Sequence, residues 1–184
     1  MSKYYLVGIP NCGKSTLGRR TSDSMKMPFF DTDNMAEDQI NNTEPAGLSY
    51  FDYVSRFHYE QQKAVARFSN MDPSAIVATG AEIALIPECV KHMRSTGFII
   101  FIERDVEKAL KKQKNKPDYG RLVLVDEDNG NVINMSEERV KVYAKELPQY
   151  RVVADFTLDN DGSEEEGTEK LVTLIRAISG KRVS

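Results

Sequence analysis

The sequence predicts an α/β fold built on a parallel sheet flanked by helices, and three observations carry that expectation. Short apolar runs alternate with longer segments poor in Gly and Pro, the rhythm of strand and crossover helix. One such run, Ser74 to Thr79, is apolar through its centre, as suits a strand buried on both faces of a parallel sheet. Another, Tyr4 to Ile9, leads into Gly8-Ile9-Pro10-Asn11-Cys12-Gly13-Lys14-Ser15, which matches the phosphate-binding loop G-x-x-x-x-G-K-[ST] at every fixed position.

The elements follow in order. After the loop, Ser15 to Met25 is free of Pro and predicts a helix, so a bound phosphate would lie at a helix N-terminus, where unpaired N–H groups and the macrodipole favour negative charge. Met27 to Asp31 predicts a short second strand running into Asp31-Thr32-Asp33, with a helix from Asn34 onward. Asn41 to Gly47 is a loop by its breakers, and Leu48 to Phe68 predicts a helix of unusually aromatic character. Its Tyr50, Phe51, Tyr53, Phe57 and Tyr59 are expected to be mostly core, or to wall a substrate pocket. His58 and His92 are expected as partly buried helix residues rather than ligands.

Beyond the third strand the chain stops at Gly80-Ala81-Glu82. A helix is predicted from about Ile83 to Arg94, a fourth strand over Gly97 to Ile102 and a helix over Val106 to Gln113. Lys111, Lys112, Lys114 and Lys116 then precede Pro117, Gly120, Arg121 and an acidic, turn-rich stretch, Asp126 to Asn131. This segment, about 112–133, reads either as a lid closing over a nucleotide or as a solvated basic helix end. Ser136 to Glu146 predicts a helix, Ala154 to Leu158 a fifth strand, and Glu164 to Ser179 a final amphipathic helix whose three leading glutamates form a solvated first turn.

Composition narrows the function. At 184 residues and 20.8 kDa the chain suits one domain over residues 1–184, with no internal repeat or linker. It is 40% hydrophobic and 29% charged, and no apolar run approaches the roughly 20 residues that span a bilayer. The N-terminus enters the first strand almost directly, so no signal or transit segment is expected and a cytoplasmic location follows. The net charge of −3 argues against a dedicated nucleic-acid binder, which needs a strongly basic face, so the expected partners are small molecules. Cys12 and Cys89 are too few for a disulfide framework or a metal site and are expected as free thiols.

The chemistry lies in the loop and in Asp31-Thr32-Asp33. The glycines let backbone N–H groups approach phosphate oxygens, Lys14 reaches the outer phosphates, and the Ser15 hydroxyl is a magnesium ligand. If the second strand is parallel to the first, Asp31 and Asp33, two residues apart on one face, reach the sheet edge that carries the loop. One of them also has the chemistry to cap the following helix.

The order of these motifs resembles the shikimate kinase family, within the nucleoside-monophosphate-kinase-like branch of phosphate-loop proteins. The resemblance rests on Gly8 to Thr16, Phe30-Asp31-Thr32-Asp33, Val77-Ala78-Thr79-Gly80, a basic lid, and Tyr150 to Asp155. It implies a three-layer P-loop kinase fold with a five-stranded parallel sheet in the order 2-3-1-4-5, an acceptor-binding helical region at about 33–68, and the lid. It also implies roles. Residues Pro10 to Thr16 hold ATP, with Lys116 or Arg121 from the lid; Ser15 binds Mg2+ with Asp31 assisting through water; Asp33 binds the acceptor hydroxyl and helps remove its proton.

The departures concern the acceptor. Family members carry an arginine three residues before a glutamate matched by Glu60, and here that position is Phe57, with Arg56 beside it. Three consecutive glycines become Gly80-Ala81-Glu82, and an arginine four residues before the tyrosine matched by Tyr150 becomes Glu146. In the family those arginines and glycines clamp the carboxylate of shikimate. The expected activity is ATP-dependent phosphoryl transfer to a small hydroxyl compound less anionic than shikimate, neutral or cationic, by a monomer or small homo-oligomer. The alternatives are an authentic shikimate kinase whose clamp is rebuilt from Arg56 with Arg139 or Arg151, a nucleotide-binding regulatory module, and a phosphate-loop hydrolase.

Overall fold

The computed structural model describes residues 2–43, 48–68, 74–111 and 136–180. Five strands, β1 (Lys3–Val7), β2 (Phe29–Asp31), β3 (Ala75–Ala78), β4 (Gly97–Glu103) and β5 (Phe156–Asp159), form one sheet in the order β2-β3-β1-β4-β5. Every neighbouring pair is parallel. The order follows from burial: β1 and β3 are buried at every residue and β4 through Ile99 to Ile102, so the most apolar runs fill the centre. Each Val, Leu or Ile buried there contributes about 1.5–3 kcal/mol.

Seven α-helices flank the sheet among the described residues: α1 (Lys14–Met25), α2 (Thr32–Thr43), α3 (Tyr50–Arg67), α4 (Pro87–Thr96), α5 (Val106–Lys111), α6 (Ser136–Val153) and α7 (Glu164–Gly180). Helix α1 packs on α7 and helix α2 on α3. The register aligns Leu6 of β1 with Ala78 of β3, and Ala78 with Asp31 of β2. The ends of three adjacent strands thus meet at one edge, where parallel α/β sheets bind ligands.

Several boundaries differ from the sequence expectation. The helix expected from Asn34 begins at Thr32, because Asp31 accepts the backbone N–H of Asp33 (3.0 Å) and so caps α2 two residues earlier. Asp33 therefore lies in the first turn of a helix, and the strand-face alternation invoked for it does not apply. The single helix expected over Ile83 to Arg94 is two elements, a 3-10 turn (Ala81–Leu85) and α4, because Pro87 cannot continue a helix but fits its first position. The helix expected to stop at Glu146 runs to Val153 through Pro148.

The final helix is better capped than expected. Ser163 Oγ accepts from the N–H of Glu166 and Glu166 Oε2 accepts from the N–H of Ser163, a reciprocal capping box legible as S-x-x-E. Glu164 and Glu165 are paired with Arg20 of α1, at 3.4 and 2.8 Å, rather than merely solvated. The expectation that the aromatics of α3 are mostly core fails for Phe51 and Tyr59, which are 75% and 51% exposed. The segment expected as a lid, with Lys112, Lys114, Lys116 and Arg121, lies outside the described residues.

Candidate active site

The phosphate loop connects β1 to α1 and is shaped by backbone requirements. Gly13 has φ 108° and Asn11 φ 57°, left-handed conformations that Gly and Asn tolerate best. Gly13 is also fixed by space, since a Cβ there would lie 2.4 Å from Asn160 Nδ2. That amide donates to the carbonyl of Cys12 at 2.7 Å from a fully buried position directly after β5. Asn160 thus ties the loop to the far edge of the sheet. Sequence reasoning missed it, because Asp159-Asn160-Asp161-Gly162 reads only as a turn.

Lys14 opens α1 and is buried, its ammonium donating to the carbonyls of Gly8 (2.7 Å) and Ile9 (2.9 Å). Pro10, Asn11 and Cys12 complete the loop, and Ser15 and Thr16 stand exposed in the first turn of α1. Cys12 and Cys89 are free and buried, and burial pushes the Cys89 thiol up to about 11.

Ser15 Oγ donates to Asp31 Oδ2 at 2.6 Å, which brings the two expected metal-binding groups together. Two hard oxygen donors beside an anion cradle suit Mg2+, which keeps several waters and uses few protein ligands when phosphates complete its shell. Among the described residues no cluster of three or more His, Cys, Asp or Glu could hold a metal ion.

The residues expected on the acceptor side lie on α2, α3 and the end of β3. Asp33 Oδ1 accepts from Gln61 Nε2 at 2.5 Å. Gly80 donates its N–H to Thr32 Oγ1 at 2.8 Å, and a Cβ on it would lie 2.3 Å from Gln61 Nε2 and 2.9 Å from Asp33 Oδ1. Glu37 stands one turn beyond Asp33, and its carboxyl is raised above the usual range by burial, then by the charges of Asp33, Asp31 and Asp38. The i, i+4 spacing from Asp33 was the available sequence signal for Glu37; Gln61 had none.

The residues at the family's clamp positions are distributed as follows. Phe57 is buried between α2 and α3 with Ala36 and Ile40 and stacks on Tyr53, ring centroids 6.1 Å apart. Glu146 Oε2 accepts from the Tyr150 hydroxyl at 3.4 Å, and the same hydroxyl donates to the Ala81 carbonyl at 2.8 Å. Glu82 is exposed, with His58 Nε2 at 3.4 Å. Arg56 pairs with buried Glu60 at 3.1 Å and lies over the Tyr59 ring. Arg151 pairs with Glu103 at the end of β4. Arg56 and Arg151 are therefore engaged by glutamates, and the side chain of Arg139 lies outside the described residues.

A phosphate loop opening a helix, a Ser–Asp pair beside it and a carboxylate across the same sheet edge define a P-loop phosphotransferase. The family model for shikimate kinase matches residues 10–176. A shikimate kinase of Clostridium beijerinckii is 29% identical over 160 residues, 87% of this chain and 86% of its own. Among solved structures, shikimate kinase from Acinetobacter baumannii in complex with shikimate superposes with a TM-score of 0.74 at 21% identity, covering 96% of this chain and 94% of that one. A gluconokinase from Sinorhizobium meliloti has a TM-score of 0.64 at 13% identity over 99% and 95%. The chain belongs to the shikimate kinase family and is an ATP-dependent small-molecule kinase that uses Mg2+.

Proposed function

We propose that this kinase phosphorylates a hydroxyl of a small acceptor that is neutral or cationic, rather than a hydroxyl of the anionic shikimate its relatives are named for. The observation that carries this is the chemistry at the clamp positions. Phe57 is packed in an apolar cluster, Glu146 stands beside the turn after Gly80, and Arg56 and Arg151 are held by Glu60 and Glu103. A carboxylate about 4 Å from a like charge is disfavoured by about 4 kcal/mol at an effective dielectric near 20, enough to reverse a preference. The family match itself favours the second reading, an authentic shikimate kinase, so shikimate belongs in the test. Retention of Lys14, Ser15, Asp31 and Asp33 argues against a regulatory module without chemistry.

In this reading residues 10–16 cradle the phosphates of ATP, and Lys14 exchanges its two loop carbonyls for phosphate oxygens. Ser15 and Asp31 would hold Mg2+, which would supply positive charge to the outer phosphates. Asp33 orients the acceptor hydroxyl; as its oxygen bonds to the γ-phosphorus and the bond to ADP breaks, its proton passes to the Asp33 carboxylate and then to solvent. The acceptor region spans about 33–68; the segment expected as a lid, about 112–133 with Lys116 or Arg121, lies outside the described residues. A cytoplasmic location is part of this reading; among the described residues no helix is long and apolar enough to cross a membrane.

The test is ADP release from Mg-ATP against polyols, sugars, amino alcohols, nucleosides and shikimate. Stimulation by a neutral or cationic compound is expected; shikimate turnover near that of the best acceptor would overturn the proposal. Lys14→Ala is expected to abolish turnover. Asp33→Asn should keep ATP binding and lose transfer by about a hundredfold or more, and near-normal transfer would remove Asp33 as the base.

A further inference from the structure

We propose that the groove between α4, the 3-10 turn and α6 is a binding site for a small amphipathic anion, a compound with an aromatic or alicyclic body and one carboxylate, and that its occupancy is passed to the Glu82–His58 pair. The groove measures about 500 Å3, within the range of sites that take drug-sized ligands. Its apolar walls include Leu85 of the turn, Val90 of α4 and Val153 of α6. Lys91 and Arg94 line it from α4, and Gln149 faces them from α6. None of these residues belongs to the phosphate loop, to the Ser15–Asp31 pair or to the residues expected on the acceptor side.

Charge decides the occupant. Both charged residues that line the groove are cations, in a chain whose net charge is −3. Three residues apart, Lys91 and Arg94 share one face of α4. Arg94 Nη2 donates to the carbonyl of Val153, the last residue of α6, at 3.1 Å, which fixes the guanidinium between two walls of the groove. The rest of its planar donor fork suits a carboxylate. Among the described residues no carboxylate pairs with either cation. A cation in the last turn of α4 also complements that helix's dipole, which accounts for Arg94 but not for Lys91 in the middle of the helix. An apolar body against Leu85, Val90 and Val153 with a carboxylate at the two cations satisfies both halves of the site. A polyol or a plain hydrocarbon satisfies one. The volume suits one small molecule rather than a segment of protein.

The groove is joined to the sheet edge through the turn. Leu85 belongs to the 3-10 turn that begins directly after Gly80. Tyr150, next to Gln149, donates its hydroxyl to the Ala81 carbonyl at 2.8 Å, so the turn and α6 are tied together beside the groove. Glu82 of the same turn has His58 Nε2 of α3 at 3.4 Å. A ligand seated between the turn and α6 therefore bears on the Glu82–His58 pair without touching it.

The probe is naphthaleneacetate, with naphthaleneethanol as its uncharged counterpart. Isothermal titration calorimetry should show one site for the acid and binding of the alcohol weaker by about tenfold or more. The double variant Lys91→Glu, Arg94→Gln should weaken the acid by about tenfold or more and leave the alcohol nearly unchanged. Gln149→Trp keeps both cations but fills the groove from α6, and should abolish binding of both compounds. All three positions are exposed, and melting curves check that the variants are folded. The chain has two histidines, so ring-labelled protein gives two NMR signals, assigned with His92→Gln. On titration with the acid the His58 signal should move with the calorimetric midpoint. Absence of saturable binding, equal affinity for acid and alcohol, unchanged affinity in the variants, displacement of the acid by Mg-ATP, or a His58 signal that stays fixed at saturation would each overturn the proposal.

Discussion

Asn160 and Gln61 hydrogen-bond to the phosphate loop and to Asp33, and no motif announces either. Asn160 donates from a buried position to a loop carbonyl, and removing one partner of a buried hydrogen bond costs about 1–3 kcal/mol. That cost falls on the loop that binds phosphate. Asn160→Ala is therefore expected to raise the KM for ATP about tenfold while leaving kcat less affected, as steady-state ADP release would show. Lys14, Ser15 and Asp31 were legible as residues because each function needs one side-chain chemistry at one spacing. Asn160 and Gln61 were not, because an amide reveals its role only through the partner opposite it, 148 residues away for the Cys12 carbonyl and 28 away for Asp33.

Among the elements, α2 carries the most unusual charge distribution. Asp33, Glu37 and Asp38 lie on it, and Asp31 caps it. Acidic groups in a first turn complement the helix dipole, but Glu37 is also desolvated and repelled by its neighbours, which raises its carboxyl above the ordinary 4.5. A raised carboxyl weakens the fold once pH climbs above its unfolded value, since ionisation is harder in the native state. Glu37→Gln should accordingly match the parent protein in thermal melting near pH 4 and exceed it at pH 7–8. Solvent screening of this half-exposed group limits the gain to about 1–2 °C. Element boundaries were less legible than element types. Pro87, Pro148 and the Asp31 cap shift them by amounts that depend on which backbone groups find tertiary partners.

At the scale of the molecule, the loop, the Ser15–Asp31 pair and the Asp33–Gln61 pair come from β1, β2 and the helices around them, so a nucleotide on the loop would bear on the sheet edge. Binding to the native state alone at a hundred times Kd adds about 2.7 kcal/mol, so Mg-ATP is expected to raise the melting temperature by about 5–10 °C, and Lys14→Ala to abolish that shift. Differential scanning fluorimetry reads both. The sequence by itself determined the α/β class, the phosphate loop with its attached helix, and the carboxylate pair near Asp31. These rest on local patterns: strand periodicity, glycine at left-handed positions, and hydroxyl and ammonium at set spacing. Only the tertiary structure decided that Asp33 belongs to a helix held by Gln61 rather than to a strand face, that Asn160 braces the loop, and that Arg56 and Arg151 are already engaged by glutamates. Those outcomes depend on which groups from distant segments share a buried edge, and a parallel sheet assembles its edge from strands far apart in the chain.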